Sequence, residues 1–183
     1  MRFNENKGVS AKELLNNINE NDLGKIIKLY GEKKKYKKIA RNIVKYSKED
    51  KMNTTFDLKK AIQEVTNPRY LNKTLSRVFQ SIRIKVNEEI KNLNLFLENS
   101  LKCLKRGGRL VIITFHSLED SIVKHFFKEN EIECICPPSF PICNCNHKAK
   151  IKIINRKGIL PSISEIEKNS RARSAKLRIA ECL

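Results

Sequence analysis

The sequence predicts an α/β fold joined to a helical lobe, and three observations carry that prediction. Apolar residues recur at threes and fours through most of the first hundred or so positions, the period of helices that each bury one stripe. Gly107-Gly108 then opens onto Arg109-Leu-Val-Ile-Ile-Thr-Phe115, which reads as a strand buried on both faces. Further on, Ala175-Lys-Leu-Arg-Ile-Ala180 alternates apolar with basic, the pattern of a strand with one wet face.

Taken in order, Ser10-Ala-Lys-Glu13 has the spacing of a capping box, with Leu14, Leu15 and Ile18 following at helical intervals. A second helix is predicted over 22–30 from Leu23, Ile26, Ile27 and Tyr30, with Gly31 as its stop. The third, over 32–46, sets Tyr36, Ile39, Ala40, Ile43 and Val44 inward and leaves Lys34, Lys37, Lys38 and Arg41 outward. A short helix over 55–65 ends before the Asn67-Pro68 turn. From 71 to 104 the apolar spacing is almost unbroken, which predicts one long helix or two abutting ones. After the strand, Ser117 is placed to cap a helix over 118–129. A loop rich in Pro and Cys, a short strand over 151–155 and a break at Leu160-Pro161 lead to the last strand. This divides the chain into a helical lobe, 8–70, and an α/β part, 71–183, built on a portion of a mixed sheet.

Composition narrows the class of function. The 183 residues are 40% hydrophobic, enough for one domain core or two small ones. Lys and Arg number 38 against 20 Asp and Glu, a formal charge of +18, which points either to a polyanionic partner or to a surface solvated by lysine. No apolar run approaches the roughly 20 residues that span a bilayer, and Met1 to Ser10 has no signal-peptide core, so a cytoplasmic address without membrane contact is expected. Six cysteines without a secretory signal suit metal binding or burial better than a disulfide framework.

Five groups of residues stand out. His116 and Ser117 lie where a strand gives way to a helix, and carboxyl ends of strands face the ligand crevice in open α/β sheets; a buried structural histidine and a plain helix cap are the alternatives. Arg83 and Asn87, four apart on one helix face, either brace an active-site loop, touch RNA or form a structural pair. Arg171, Arg173 and Lys176 form a basic cluster suited to phosphate or merely solvated. The same choice applies to Lys34, Lys37 and Lys38. Cys134, Cys136, Cys143 and Cys145 lie within twelve residues; thiolates are ligands for structural zinc, but the C-x-C spacing is tighter than the C-x2-C of zinc ribbons, so incidental thiols remain the alternative.

Four collinear segments together resemble one family: Tyr30-Gly31-Glu32 with Ile39-Ala40-Arg41; Val78-Phe79-Gln80-Ser-Ile-Arg83-Ile with Val86-Asn87-Glu88-Glu89; Gly107-Gly108-Arg109 through Phe115-His116-Ser117-Leu118-Glu119-Asp120; and Arg171-Ala-Arg173-Ser174-Ala-Lys176-Leu-Arg178. They are similar to the AdoMet-dependent 16S rRNA cytosine-N4 methyltransferases of the MraW type. The resemblance implies a Rossmann-like class I methyltransferase domain carrying a helical substrate-recognition lobe, with this chain as its C-terminal part. It also implies S-adenosyl-L-methionine as donor, small-subunit rRNA or the 30S subunit as partner, and His116 and Ser117 at the pocket edge. Met1-Arg2 resembles an internal point of the family's sequence, so the glycine-rich donor loop is expected upstream. The glycines agree, standing at 8, 24, 31, 107, 108 and 158 with no G-x-G spacing. The isolated chain is therefore expected to be inactive as a truncated or split enzyme that needs its N-terminal half, or else to be a non-catalytic rRNA-binding remnant.

Overall fold

The computed structural model describes residues 1–4, 6, 8–31, 35–134, 136, 145 and 147–183. They fall into two compact units, Met1–Glu89 and Ile90–Leu183. The boundary anticipated at 70/71 falls inside the first unit, because the helix that begins there supplies Val78 and Ile82 to the helical core.

In the first unit, helices α1 (Ala11–Asn17), α2 (Glu20–Gly31), α3 (Tyr36–Lys48), α4 (Thr55–Gln63) and α5 (Leu71–Val86) enclose one cluster. Leu23, Ile27, Ile39, Ile43, Leu58, Ile62, Val78 and Ile82 are its centre, none more than 2% exposed. The predicted box opens α1: the Glu13 amide donates to Ser10 Oγ at 3.1 Å, and the Ser10 amide donates to the Glu13 carboxylate at 2.6 Å. Thr54 and Asp57 repeat the device at α4. Gly31 does end α2, but it serves packing as well. A Cβ there would stand 3.0 Å from the carbonyl oxygen of Arg77 in α5, so a side chain would push the two helices apart.

The apolar run from 71 to 104 resolves into two helices, α5 and α6 (Glu89–Cys103). Between them Glu88 takes a left-handed φ of 49°, a conformation that ends helices. The Asn87 side-chain amide donates to the Arg83 carbonyl at 2.9 Å, adding to the backbone bond that this carbonyl already accepts from the Asn87 amide at 3.0 Å.

The second unit contains β1 (Arg109–Thr114), α7 (Ser117–Glu131), β2 (Ile151–Ile153), α8 (Ile163–Lys168) and β3 (Lys176–Cys182). The strands are antiparallel in the order β1-β3-β2, with Ile112 opposite Arg178 and Thr114 opposite Lys176. Among the described strands no pair is parallel. Gly107, at φ 79°, enters the sheet by donating its amide to the Cys182 carbonyl at 2.8 Å. Leu97, Leu110, Ile112, Val123, Phe127, Ile151 and Ala180 form the core.

Two expectations about the strands are overturned. β1 is buried on one face: Leu110, Ile112 and Thr114 point inward, while Val111 (52%), Ile113 (54%) and Phe115 just beyond (55%) are exposed. In β3 the basic face is not the wet one. Arg178 is 7% exposed and shares the covered side with Ile112, its partner in the ladder, because α7 offers it a carboxylate. None of the helices among the described residues is long and apolar enough to cross a membrane.

Candidate functional site

At the carboxyl end of β1 the chain turns sharply into α7, and His116 makes the turn. Its backbone is extended (φ −143°, ψ 161°), and its Nδ1 accepts the Glu119 amide at 3.2 Å, so His116 is the N-cap. Ser117, expected in that role, is instead the first residue of α7 and exposed. The imidazole takes the position that a Ser or Asp oxygen takes in most caps, satisfying one orphan amide. Because Nδ1 accepts, a neutral ring carries its proton on Nε2, which lies 3.2 Å from Glu119 Oε1.

Glu119 completes the turn. Its Oε2 accepts the Phe115 amide at 2.8 Å. Burial works against its charge, yet the His116 ring and the Phe115 amide outweigh burial, and the carboxyl is held below its ordinary range. One position on, Asp120 accepts from Arg178 Nε at 2.6 Å and from its Nη2 at 3.1 Å, with Lys176 Nζ 3.3 Å away. Arg178 is the chief cause of a lowered Asp120 pKa, with burial opposing it.

The antiparallel register brings further predicted residues to this end of the sheet. Thr114 faces Lys176, so the chain leaving β1 and the chain entering β3 lie at the same edge. The 3-10 turn Ser170–Ser174 before β3 carries Arg171 and Arg173, both exposed. Lys176 is partly committed, since Asp120 holds its ammonium.

The other groups lie elsewhere. In the helical unit Arg83 forms a two-pronged pair with Glu89, at 2.9 and 3.0 Å. Asn87 accepts the Phe3 amide at 2.9 Å and donates to the Met1 carbonyl at 3.0 Å. Asn87 ties the chain start to the end of α5, and Arg83 with Glu89 is an ion pair of the structural kind. Lys37 and Lys38 are exposed on α3; Lys34 lies outside the described residues. Cys134, Cys136 and Cys145 bring their sulfurs within 4.8 Å of one another, and Cys143 lies outside the described residues.

Sequence reasoning missed Glu119 and the Asp120–Arg178 pair. The signal was present in β3, where Lys176, Arg178 and Ala180 share one face and Leu177 and Ile179 the other. Only the acid 58 residues away decides which face turns inward.

The MraW methylase family matches residues 1–183. This chain belongs to that family. It is 43% identical over 182 residues to the ribosomal RNA small subunit methyltransferase H of Caldicellulosiruptor saccharolyticus, covering 99% of the chain and 59% of that relative. The protein of the same name in Clostridium botulinum is 49% identical over 181 residues, covering 98% and 59%. In Finegoldia magna the figure is 44% over 185 residues, again 99% and 59%. The chain thus spans 59% of the length of these relatives. Membership in this family implies a Rossmann-like fold for the whole protein.

Proposed function

We propose that this chain is the acceptor side of an AdoMet-dependent methyltransferase that modifies the N4 amine of a cytosine in small-subunit rRNA. The observation that carries the reading is the sheet end where β1 runs into His116 and Ser117 and where the antiparallel register also brings the start of β3, with Arg171 and Arg173 in the turn before it. A helix opens there, and the strand delivers an exposed Phe115 and Ser117 to the position where sheet proteins bind ligands. The names of the relatives supply the reaction class.

Within that reading Ser117 and the exposed ring of Phe115 meet the target base, and Arg171 and Arg173 meet nearby phosphates, for which forked guanidinium geometry is suited. His116 fixes the turn that presents them. Its Nδ1 is spent on the cap, so at that nitrogen it cannot take the amine proton without releasing the start of α7. Arg83 and Asn87 brace the helical unit, and Lys37 and Lys38 face RNA from it.

The described residues do not fit the methyl donor. Gly107 and Gly108 form the turn into β1, and Gly24 and Gly31 pack against Tyr36 and the Arg77 backbone. None is spaced to let a backbone approach a nucleotide-like ligand. We therefore place the donor contacts in the part of the longer relatives that this chain does not match, and derive no step through the donor.

The test supplies that part from the Clostridium botulinum relative, fused or as a separate chain, and measures cytosine methylation in 30S subunits by mass spectrometry. Methylation is expected only with both parts present. His116→Asn, which can still cap, should leave the denaturation midpoint and turnover per folded molecule near wild type, whereas His116→Ala, which cannot cap, should lower both. Correctly folded parts that bind rRNA without methylating it would overturn the enzyme reading in favour of a non-catalytic rRNA-binding protein.

A further inference from the structure

We propose that Cys134, Cys136 and Cys145 form a structural zinc site that closes the loop between α7 and β2. The three sulfurs lie within 4.8 Å of one another, and those of Cys134 and Cys145 are 3.8 Å apart. That is far beyond the roughly 2.05 Å of a disulfide. It equals the edge of a tetrahedron whose corners lie about 2.3 Å from its centre, about 3.8 Å, which is the Zn–S geometry.

Two further observations fit a bound thiolate cluster. The Cys136 amide points at Cys134 Sγ at 3.4 Å, the kind of contact that stabilises charge on a ligating sulfur. The chain carries +18 overall, with Lys148 and Lys150 shortly after the cluster, so anionic sulfurs are electrostatically tolerated. Three thiolates select a soft or borderline metal over calcium or magnesium, which prefer oxygen. A closed structural site needs a fourth protein ligand beside these three sulfurs.

The site is structural and not catalytic. Cys134 lies beyond the far end of α7, whose 15 residues put about 22 Å between it and His116. Both ends of the loop are anchored: the Lys150 amide donates to the Asn130 carbonyl at 2.8 Å, and the Ile153 amide donates to Glu131 at 3.0 Å. A metal would tie Cys134 and Cys136 to Cys145 without touching the reaction.

The experiment measures zinc by mass spectrometry in the full chain purified under reducing, chelator-free conditions, and then titrates demetallated protein with Co2+. Expected are about one zinc per chain and thiolate-to-cobalt absorption. Cys134→Ser, Cys136→Ser and Cys145→Ser should each lower zinc content about tenfold or more, with helical circular dichroism kept. Cys103→Ser and Cys182→Ser, outside the cluster, should retain it. Reduced protein without zinc and without cobalt absorption would overturn the proposal. Zinc retained in all three cluster variants, or a Cys134–Cys145 disulfide in anaerobically purified protein, would do the same.

Discussion

A guanidinium buried without a counter-charge costs several kcal/mol, and Arg178, at 7% exposure, avoids that cost through Asp120. The pair also explains the pH response expected of the second unit. Asp120 is held below its ordinary value of 3.8, chiefly by Arg178 against the opposing effect of burial. A depressed carboxyl stabilises the fold fully above its unfolded pKa, and that stability drains as pH falls through the folded value. Glu119, lowered by His116 and the Phe115 amide in spite of its burial, acts with the same sign. Asp120→Asn should therefore cost about 3 kcal/mol at neutral pH, the usual loss when one partner of a buried pair is removed. It should also flatten the acid limb of stability. Urea midpoints tracked from pH 7 down to about 2.5 check this, and an acid limb as steep as wild type would show that Asp120 does not carry it.

At the scale of elements, local chemistry was legible wherever cause and effect lie within a few residues. The Ser10–Glu13 box, the α3 stripe and the Gly107-Gly108 turn all appear where the residues indicate them. The features that stay hidden depend on partners distant in the chain. Period tells which residues share a face, not which face meets a helix, so the pattern alone makes β1 doubly buried and turns β3 the wrong way round. Two abutting helices over 71–104 are legible as an alternative, but the place of the break at Glu88 is not, since nothing in the apolar spacing marks it. His116 displaces Ser117 as cap because an imidazole cap is uncommon and depends on Glu119 folding back to the Phe115 amide. The face assignment can be tested on adjacent residues. Ile112→Ala empties a core position and should cost about 2–4 kcal/mol. Ile113→Ala lies on the open face and should stay within about 0.5–1 kcal/mol in this chain. Equal losses in denaturant melts would mean that both faces are covered.

For the whole molecule the governing quantity is the formal charge of +18, and the question is whether it is a binding surface or solvation. The distinction is measurable, because each phosphate neutralised releases counterions and steepens the fall of affinity with salt by about 0.7–0.9 in log–log slope. Lys37 and Lys38 lie exposed on α3, whereas Lys25 is held by Asp22 and Lys51 by Glu49. If Lys37 and Lys38 meet RNA, Lys37→Gln with Lys38→Gln should reduce the slope for a small-subunit rRNA fragment by about 1.5. The comparison pair is Lys102 and Lys105, which precede β1 and so belong to the sheet end opposite His116. Their replacement removes the same net charge, so it controls for general attraction and should leave the slope near wild type. Fluorescence anisotropy across a salt series gives both numbers from the same titrations. Similar reductions from the two pairs would mean that the charge acts as a diffuse field and that α3 holds no docking surface for RNA. A reduction confined to Lys37 and Lys38 would locate part of the RNA contact in the helical unit, as the proposed recognition role requires.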